Sequence, residues 1–395
     1  MTIKLSSRVQ AVKPSPTLAI TARAAELRAE GKDVIGLGAG EPDFDTPEHI
    51  KKAARKAIAD GKTKYTAVDG TATLKQAIID KFQRDNGFEY AADQVLVSCG
   101  GKQSFYNLAQ AILDPGDEVI IPAPYWVSYP DMSILAGGVP VLIHADAEQN
   151  FKMSPAQLRG ALTDNTRLVV INSPSNPTGM AYSLDELAAL GEVLREHPKV
   201  VIATDDMYEH IRWNLDVPFV NILNACPDLA NRTLVLNGVS KAYSMTGWRI
   251  GYAAGPANVI KAMKKIQSQS TSNPTSISQY AAEAALNGPQ DCIGEMLEQF
   301  KKRHDYVVDR LNGMSGIECL PTDGTFYVFP SVKGLIDAID EVNDDLQLAE
   351  HLIVHAGVAL VPGTAFGLSG HARISIATSM ENLESALDRI EKVIG

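Results

Sequence analysis

Between about residues 70 and 290, short apolar runs alternate with amphipathic stretches, and this alternation restricts the chain more than any other feature. The runs fall at 94–98, 117–121, 139–143, 168–172, 200–204, 233–236 and 248–254, and most are dominated by Val, Ile, Leu and Ala. Strands without a polar face need cover on both sides, and the segments between them supply it. Residues 72–86, 102–113 and 184–196 have helical spacing, with Ser183 as the expected N-cap of the last. The expected class is α/β, a mostly parallel sheet with helices on both faces.

The pattern changes at both ends. After 290 comes a long charged helix at 293–312, then short strands at 325–329, 358–361 and 371–376, with helices at 345–356 and 381–393. That is an α+β pattern and predicts a second, smaller domain, as expected of a chain of 395 residues. The first twenty or so residues, with Pro14 and Pro16, read as an arm. A helix at 21–31 and a short strand at 33–40 follow, and Thr46 is the expected N-cap of a helix reaching 59. The expected division is an arm and part of the small domain at 1–47, a large domain at 48–290 and a small domain at 291–395.

A formal charge of −11 argues against nucleic-acid binding, which wants a basic face. It leaves room for an anionic substrate in a locally basic cleft. The four cysteines form no C-x-x-C pair, which argues against structural zinc and a disulfide framework and points to a reducing, cytoplasmic setting. No signal-peptide core and no membrane-length apolar run is present in the sequence.

Open α/β sheets bind ligands beyond the carboxyl ends of their strands. Gly100, Gly101 and Lys102 follow the first run, Asn176 the fourth, Asp205 and Tyr208 the fifth, and Ser240 and Lys241 the sixth. Lys241 stands among small residues between two apolar runs. Partial desolvation there lowers an ammonium pKa and leaves the nucleophilic amine that Schiff-base chemistry needs. Arg249 is close enough in sequence to hold an anion nearby. The Gly100 to Lys102 turn can bring backbone N–H groups to a phosphate at a helix N-terminus. Asp205, ending an apolar strand, calls for a partner, as does Arg373 in the short apolar run at 371–376. Gly36-Leu-Gly-Ala-Gly40 lacks the following helix of a dinucleotide fingerprint. Taken singly, Lys13 and Lys102 also read as solvent-facing lysines, Trp126 and Tyr208 as core aromatics, and Asn176 as a turn residue.

These residues stand in an ordered set of motifs: Lys13-Pro-Ser-Pro-Thr17, Gly38-Ala-Gly-Glu-Pro-Asp-Phe-Asp-Thr-Pro47, Thr63-Lys-Tyr65, Gly100-Gly-Lys-Gln103, Pro124-Tyr-Trp-Val-Ser-Tyr129, Asn172-Ser-Pro-Ser-Asn-Pro-Thr-Gly179, Asp205-Asp-Met-Tyr208, Ser240-Lys241 through Gly251, and Arg373. In them the chain resembles, over nearly its whole length, the class I aminotransferases, and among these the bacterial aspartate and aspartate/prephenate group. The resemblance implies a fold type I pyridoxal 5′-phosphate (PLP) transferase, with a mostly parallel seven-stranded sheet in the large domain. It implies that Lys241 links to PLP and shuttles a proton between the substrate Cα and the cofactor C4′. Arg249, Gly100, Gly101, Lys102 and Ser240 would serve the cofactor phosphate end, Asp205 the pyridine nitrogen, Tyr208 and Asn176 the phenolic oxygen, and Trp126 the ring face. Tyr65 would reach the phosphate in the neighbouring subunit, implying a homodimer with shared active sites. Arg373, with Gly40, Asn176 and Trp126, would hold the substrate α-carboxylate.

Some aspartate aminotransferases bind the second carboxylate through an arginine shortly after the lysine segment, but residues 268–276 contain none. The resembled group uses Lys13, Thr17 and Lys102 instead. The implied reaction is ping-pong transfer from L-aspartate to 2-oxoglutarate. Prephenate or an aromatic amino acid is the alternative, and a PLP-dependent lyase a more distant one.

Overall fold

The structure, a computed structural model, describes residues 3–12, 14 and 16–394, without the side chains of 16–18. Lys13 and the side chain of Thr17 therefore lie outside the described residues.

Among the described residues, twelve strands form three sheets. Strand β1 (Ile35–Gly36) comes first. The large sheet contains β2 (Val95–Ser98), β3 (Glu118–Ala123), β4 (Val139–His144), β5 (Thr166–Asn172), β6 (Val201–Asp205), β7 (Thr233–Gly238) and β8 (Gly251–Ala254). The rest are β9 (Tyr327–Val328), β10 (Val358–Ala359), β11 (Val361–Pro362) and β12 (Ala372–Ser375). The seven-stranded order is β2-β8-β7-β6-β5-β3-β4, and β8 runs opposite to the other six.

Successive side chains of a strand face opposite ways, and here both directions are dry. Val169, Ile171, Ile202 and Val235 enter one core, while Leu168, Val170, Ala203, Leu234 and Leu236 enter the other. The helix Ala72–Asn86 shows how ends are set: the Thr71 hydroxyl accepts the Leu74 N–H, and Gly87 takes a left-handed conformation at φ 74°. Ser183 caps Leu184–Arg195 as expected, in a reciprocal pair with Glu186.

The smaller sheets join distant parts of the chain. β1 pairs parallel with β10, and β11-β12-β9 is antiparallel. The Arg303 guanidinium grips both oxygens of Asp43 at 2.8 and 3.0 Å, tying the loop after β1 to the long helix Asp291–Asn312. Among the described residues, no helix is long and apolar enough to cross a membrane.

Four local expectations are corrected. The arm contains a helix, Ser7–Ala11, and the next helix is Pro16–Ala29, starting before residue 21 because proline suits a first helical position. Thr46 caps nothing: Pro47 is the N-cap of Glu48–Ala59. The Thr46 hydroxyl instead donates to the Ser244 carbonyl at 2.6 Å and accepts the Trp248 indole N–H at 2.9 Å. Most of the run at 248–254 is strand only from Gly251, because Thr246–Trp248 forms a 3-10 turn. The run at 358–361 splits between two sheets.

Ile202 is fully buried in the central strand β6. Ile202→Ala is expected to cost about 2–5 kcal/mol through lost burial and a residual cavity, read as a lowered denaturation midpoint. Ile202→Val should cost about 1 kcal/mol.

Candidate active site

The ends of β2, β5, β6 and β7 release the loops that carry the expected site residues. After β2 the backbone turns at Gly100, with φ 86°, directly into the helix Gly101–Ile112. A Cβ on Gly100 would run into the Arg249 guanidinium, and one on Gly251 would strike the backbone of Gly100 and Gly101. Glycine at both positions lets the Arg249 segment lie against the helix N-terminus. Arg249 itself is left-handed, with φ 56° and ψ 54°, and its Nη1 donates to the Thr246 carbonyl at 2.8 Å. Its exposed guanidinium, the unfilled N–H groups of the helix start and the buried Ser240 form a cradle suited to an anion.

Lys241 lies on the loop after β7. Its Nζ donates to the Gly40 carbonyl and stands 5.7 Å from the Phe326 ring centre and 6.0 Å from that of Tyr208. Desolvation and then the nearby Arg373 charge push its ammonium down to about 8, against the opposing pull of Glu41 and Asp205. The expectation of a nucleophilic amine thus has a physical cause in the fold.

Asp205 ends β6. Its Oδ2 accepts the Tyr129 hydroxyl at 2.5 Å and its Oδ1 the Met207 N–H at 3.2 Å. Burial nonetheless pushes this carboxyl above its ordinary range, outweighing those bonds and the charge of Lys241. Among the described residues it has no salt bridge, so a cationic partner presented to it would be strongly favoured.

Arg373, on β12, is 3 % exposed. Its Nη1 donates to Asn176 Oδ1 at 3.0 Å and its Nη2 to the Gly38 carbonyl at 2.8 Å. The guanidinium lies between the rings of Tyr327 and Phe366, at 4.3 and 4.9 Å from their centres. Among the described residues, its buried Nε has no hydrogen-bond partner. A desolvated cation held by neutral groups is prepared for an anion.

Lys102 is exposed at the helix start, with its Nζ 5.3 Å from the Trp126 ring centre. Partial desolvation and then Arg249 lower its pKa. Trp126 is half-buried and meets Tyr129 edge-on at 5.2 Å. Tyr208 is buried, with its hydroxyl 3.1 Å from that of Tyr327. Tyr65 is 89 % exposed, and among the described residues it makes no hydrogen bond to this cluster. The fold therefore gathers Lys241, Asp205, Tyr208, Asn176, Arg373 and Gly40, with the Gly100–Arg249 cradle beside them, and leaves Tyr65 outside.

Five contributors escaped the sequence reading: Gly38, Tyr129, Asn172, Tyr327 and Phe366. Tyr129 carried a usable signal, three residues after Trp126 in the same motif. Asn172, whose Nδ2 donates to the Asp205 carbonyl at 2.9 Å, did too, as the last residue of an apolar strand. Tyr327 and Phe366 come from remote C-terminal segments and had none.

Comparison with known proteins identifies the family. A profile of the family Aminotransferase class I and II matches residues 32–390. An aspartate/prephenate aminotransferase of Nitrosomonas europaea is 60 % identical, covering 99 % of this chain and 100 % of that one. Among solved structures, the aspartate aminotransferase from Rhizobium meliloti superposes with TM-score 0.96 at 51 % identity, covering 99 % of this chain and 98 % of that one. The aspartate aminotransferase from Thermus thermophilus with maleate gives 0.92 at 44 % identity, covering 99 % and 100 %.

The depressed Lys241 ammonium has two consequences. In cofactor-free protein, amine acylation followed by mass spectrometry should show Lys241 reacting with a midpoint near 8, not 10.5. Arg373→Met should raise that midpoint by removing a like charge. The sign for stability follows: the native state sheds this proton first, so this group's penalty on folding shrinks as pH rises from about 8 towards 10.5.

Proposed function

This chain belongs to the class I and II aminotransferases, and we propose that it moves the amino group of L-aspartate to 2-oxoglutarate, forming oxaloacetate and L-glutamate, with PLP as its cofactor. The observation that carries this reading is the convergence of a depressed amine, Lys241, a desolvated carboxyl, Asp205, and a buried arginine with an unused donor, Arg373, beyond the carboxyl ends of β6 and β7.

The donor set fits PLP. Asp205 lacks the cation that a ring N–H⁺ would supply, and the Gly100–Arg249 cradle with Ser240 suits the phosphate. Tyr208 and Asn176 would face the phenolic oxygen, and Trp126 the ring. When bound, PLP supplies an electron sink for the charge left on the substrate Cα.

The chain's own groups do the rest. Arg373 holds the α-carboxylate, with Asn176 and the Gly40 backbone beside it, and so fixes which Cα bond faces Lys241. Lys241 Nζ, the amine nearest the bound Cα, would take the proton from Cα and hold it for return. Asp205, a buried carboxyl without a cation, would hold the ring nitrogen in its protonated form. A second oxo acid then takes up the amino group by the reverse steps, giving ping-pong kinetics. The small domain, residues 291–395 with the arm at 1–47, would close on the 48–290 domain and exclude water.

The second carboxylate would meet Lys102, with Lys13 and Thr17 of the arm. A relative solved with maleate, a dicarboxylate, supports this reading. A second substrate, prephenate, is supported by the names of relatives at 60 % and 56 % identity and by the Lys102 ammonium near the Trp126 face, where an ion and a ring can be met together. The exposed Tyr65, and Ile3 and Leu5 at 86 % and 59 % exposure, support a homodimer in which Tyr65 reaches the partner's cofactor phosphate. Four free cysteines suit a reducing, cytoplasmic setting.

With aspartate alone, the loaded enzyme should release one oxaloacetate per site; alanine with carbon dioxide, or fumarate with ammonia, would instead mean a lyase. Lys241→Ala should abolish turnover. Arg373→Lys, which loses the planar fork, should raise KM for every amino donor by about tenfold or more. Across a panel including prephenate, Lys102→Met should lower kcat/KM for dicarboxylates by about tenfold and for aromatic substrates much less.

A further inference from the structure

Tyr327 is 1 % exposed and sits where three parts of the site meet. Its ring lies under the Arg373 guanidinium at 4.3 Å, and its hydroxyl is 3.1 Å from that of Tyr208. A Cβ built on Gly40 would stand 3.3 Å from the same oxygen, so the 38–47 loop closes its other side. The backbone is also held. Tyr327 pairs with Ser375 two residues from Arg373, and its N–H donates to Thr325 Oγ1 at 3.2 Å. The ring cannot swing away without releasing the arginine.

Among the described residues, each hydroxyl has the other as its one hydrogen-bond partner. Two hydroxyls sharing one bond leave one hydrogen over. A negative oxygen placed before Tyr208 takes that hydrogen, and the shared bond then runs from Tyr327 to Tyr208. Bonds aligned in one direction strengthen each other in a low-dielectric site. We propose that Tyr327 is a positioning residue: its hydroxyl donates to Tyr208 and sharpens the Tyr208 donation to the phenolic oxygen of the cofactor. This rests on the reading that Tyr208 faces that oxygen. Burial keeps both phenols protonated, and so both able to donate. The charged groups facing the pair are Arg373, Asp205 and Glu41, with Lys241 above the Tyr208 ring.

The test is a pH titration of the visible absorbance of the PLP-loaded enzyme. A donor on the phenolic oxygen draws off its charge and loosens its hold on the proton shared with the nitrogen linking Lys241 to the cofactor. Weakening the donor therefore raises the titration midpoint. Tyr327→Phe should raise it by about half a pH unit, Tyr208→Phe by more, and the double variant no further than Tyr208→Phe alone. KM for the amino donor should stay within about twofold in Tyr327→Phe, because the ring under Arg373 remains. A shift in Tyr208→Phe with none in Tyr327→Phe, or additive shifts, would overturn the relay. No shift in Tyr208→Phe would overturn the reading beneath it, and the relay with it.

Discussion

The site depends on one buried ion pair. Lys81, fully buried on the helix Ala72–Asn86, meets Glu209, 4 % exposed and next to Tyr208. Glu209 also accepts Asn237 Nδ2 at 2.7 Å, and Asn237 Oδ1 accepts the Gly238 N–H at 2.7 Å. The loop carrying Asp205 and Tyr208 is thus bolted to the loop carrying Lys241. Burial raises the Glu209 carboxyl, but Lys81 and His210 outweigh it and hold it below its ordinary range. Removing one partner of such a pair typically costs about 3–5 kcal/mol, because the other is left charged and dry. Asp85, Glu209 and His210 bring ligand atoms within 4.8 Å of one another, but the Lys81 ammonium already supplies positive charge there.

Around that anchor the electrostatics oppose folding and favour chemistry. Lys241 is pushed towards neutrality and Asp205 towards protonation. Arg373 is kept dry by two rings, with carbonyl-type partners and no carboxylate. Each lacks the partner that would relax it, as expected where ligands supply the missing charges. Asp206 shows the contrast. It points away to Thr204 and Asn221, with bonds of 2.7 and 2.6 Å, and burial pushes it up to about 7. Neighbouring residues at a strand end face opposite sides, so one aspartate turns towards Tyr129 and the Lys241 charge and the other into the scaffold.

Much of the large sheet was legible because its strands are apolar on both faces, a pattern that permits few alternatives. All seven runs became strands, with ends shifted by a few residues. The failures fall where tertiary partners overrode local preference. Thr46 has the chemistry of a cap, yet the Ser244 carbonyl and the Trp248 indole claim it. The run at 358–361 looks like one strand, yet its halves pair with Gly36 and with Arg373.

The sequence by itself determined the α/β class and the side of the sheet where the candidate residues gather, and it read Lys241 as a desolvated amine, Arg249 as a holder of an anion, and Asp205 and Arg373 as charges needing partners. Those conclusions rest on periodicity and on the cost of burying charge, both local properties. Only the tertiary structure decided what surrounds each one. The Gly40 carbonyl at Lys241, Tyr129 at Asp205, and the Tyr327 and Phe366 rings about Arg373 come from segments far apart in the chain. Such contacts follow from strand order and loop packing, which no local spacing encodes.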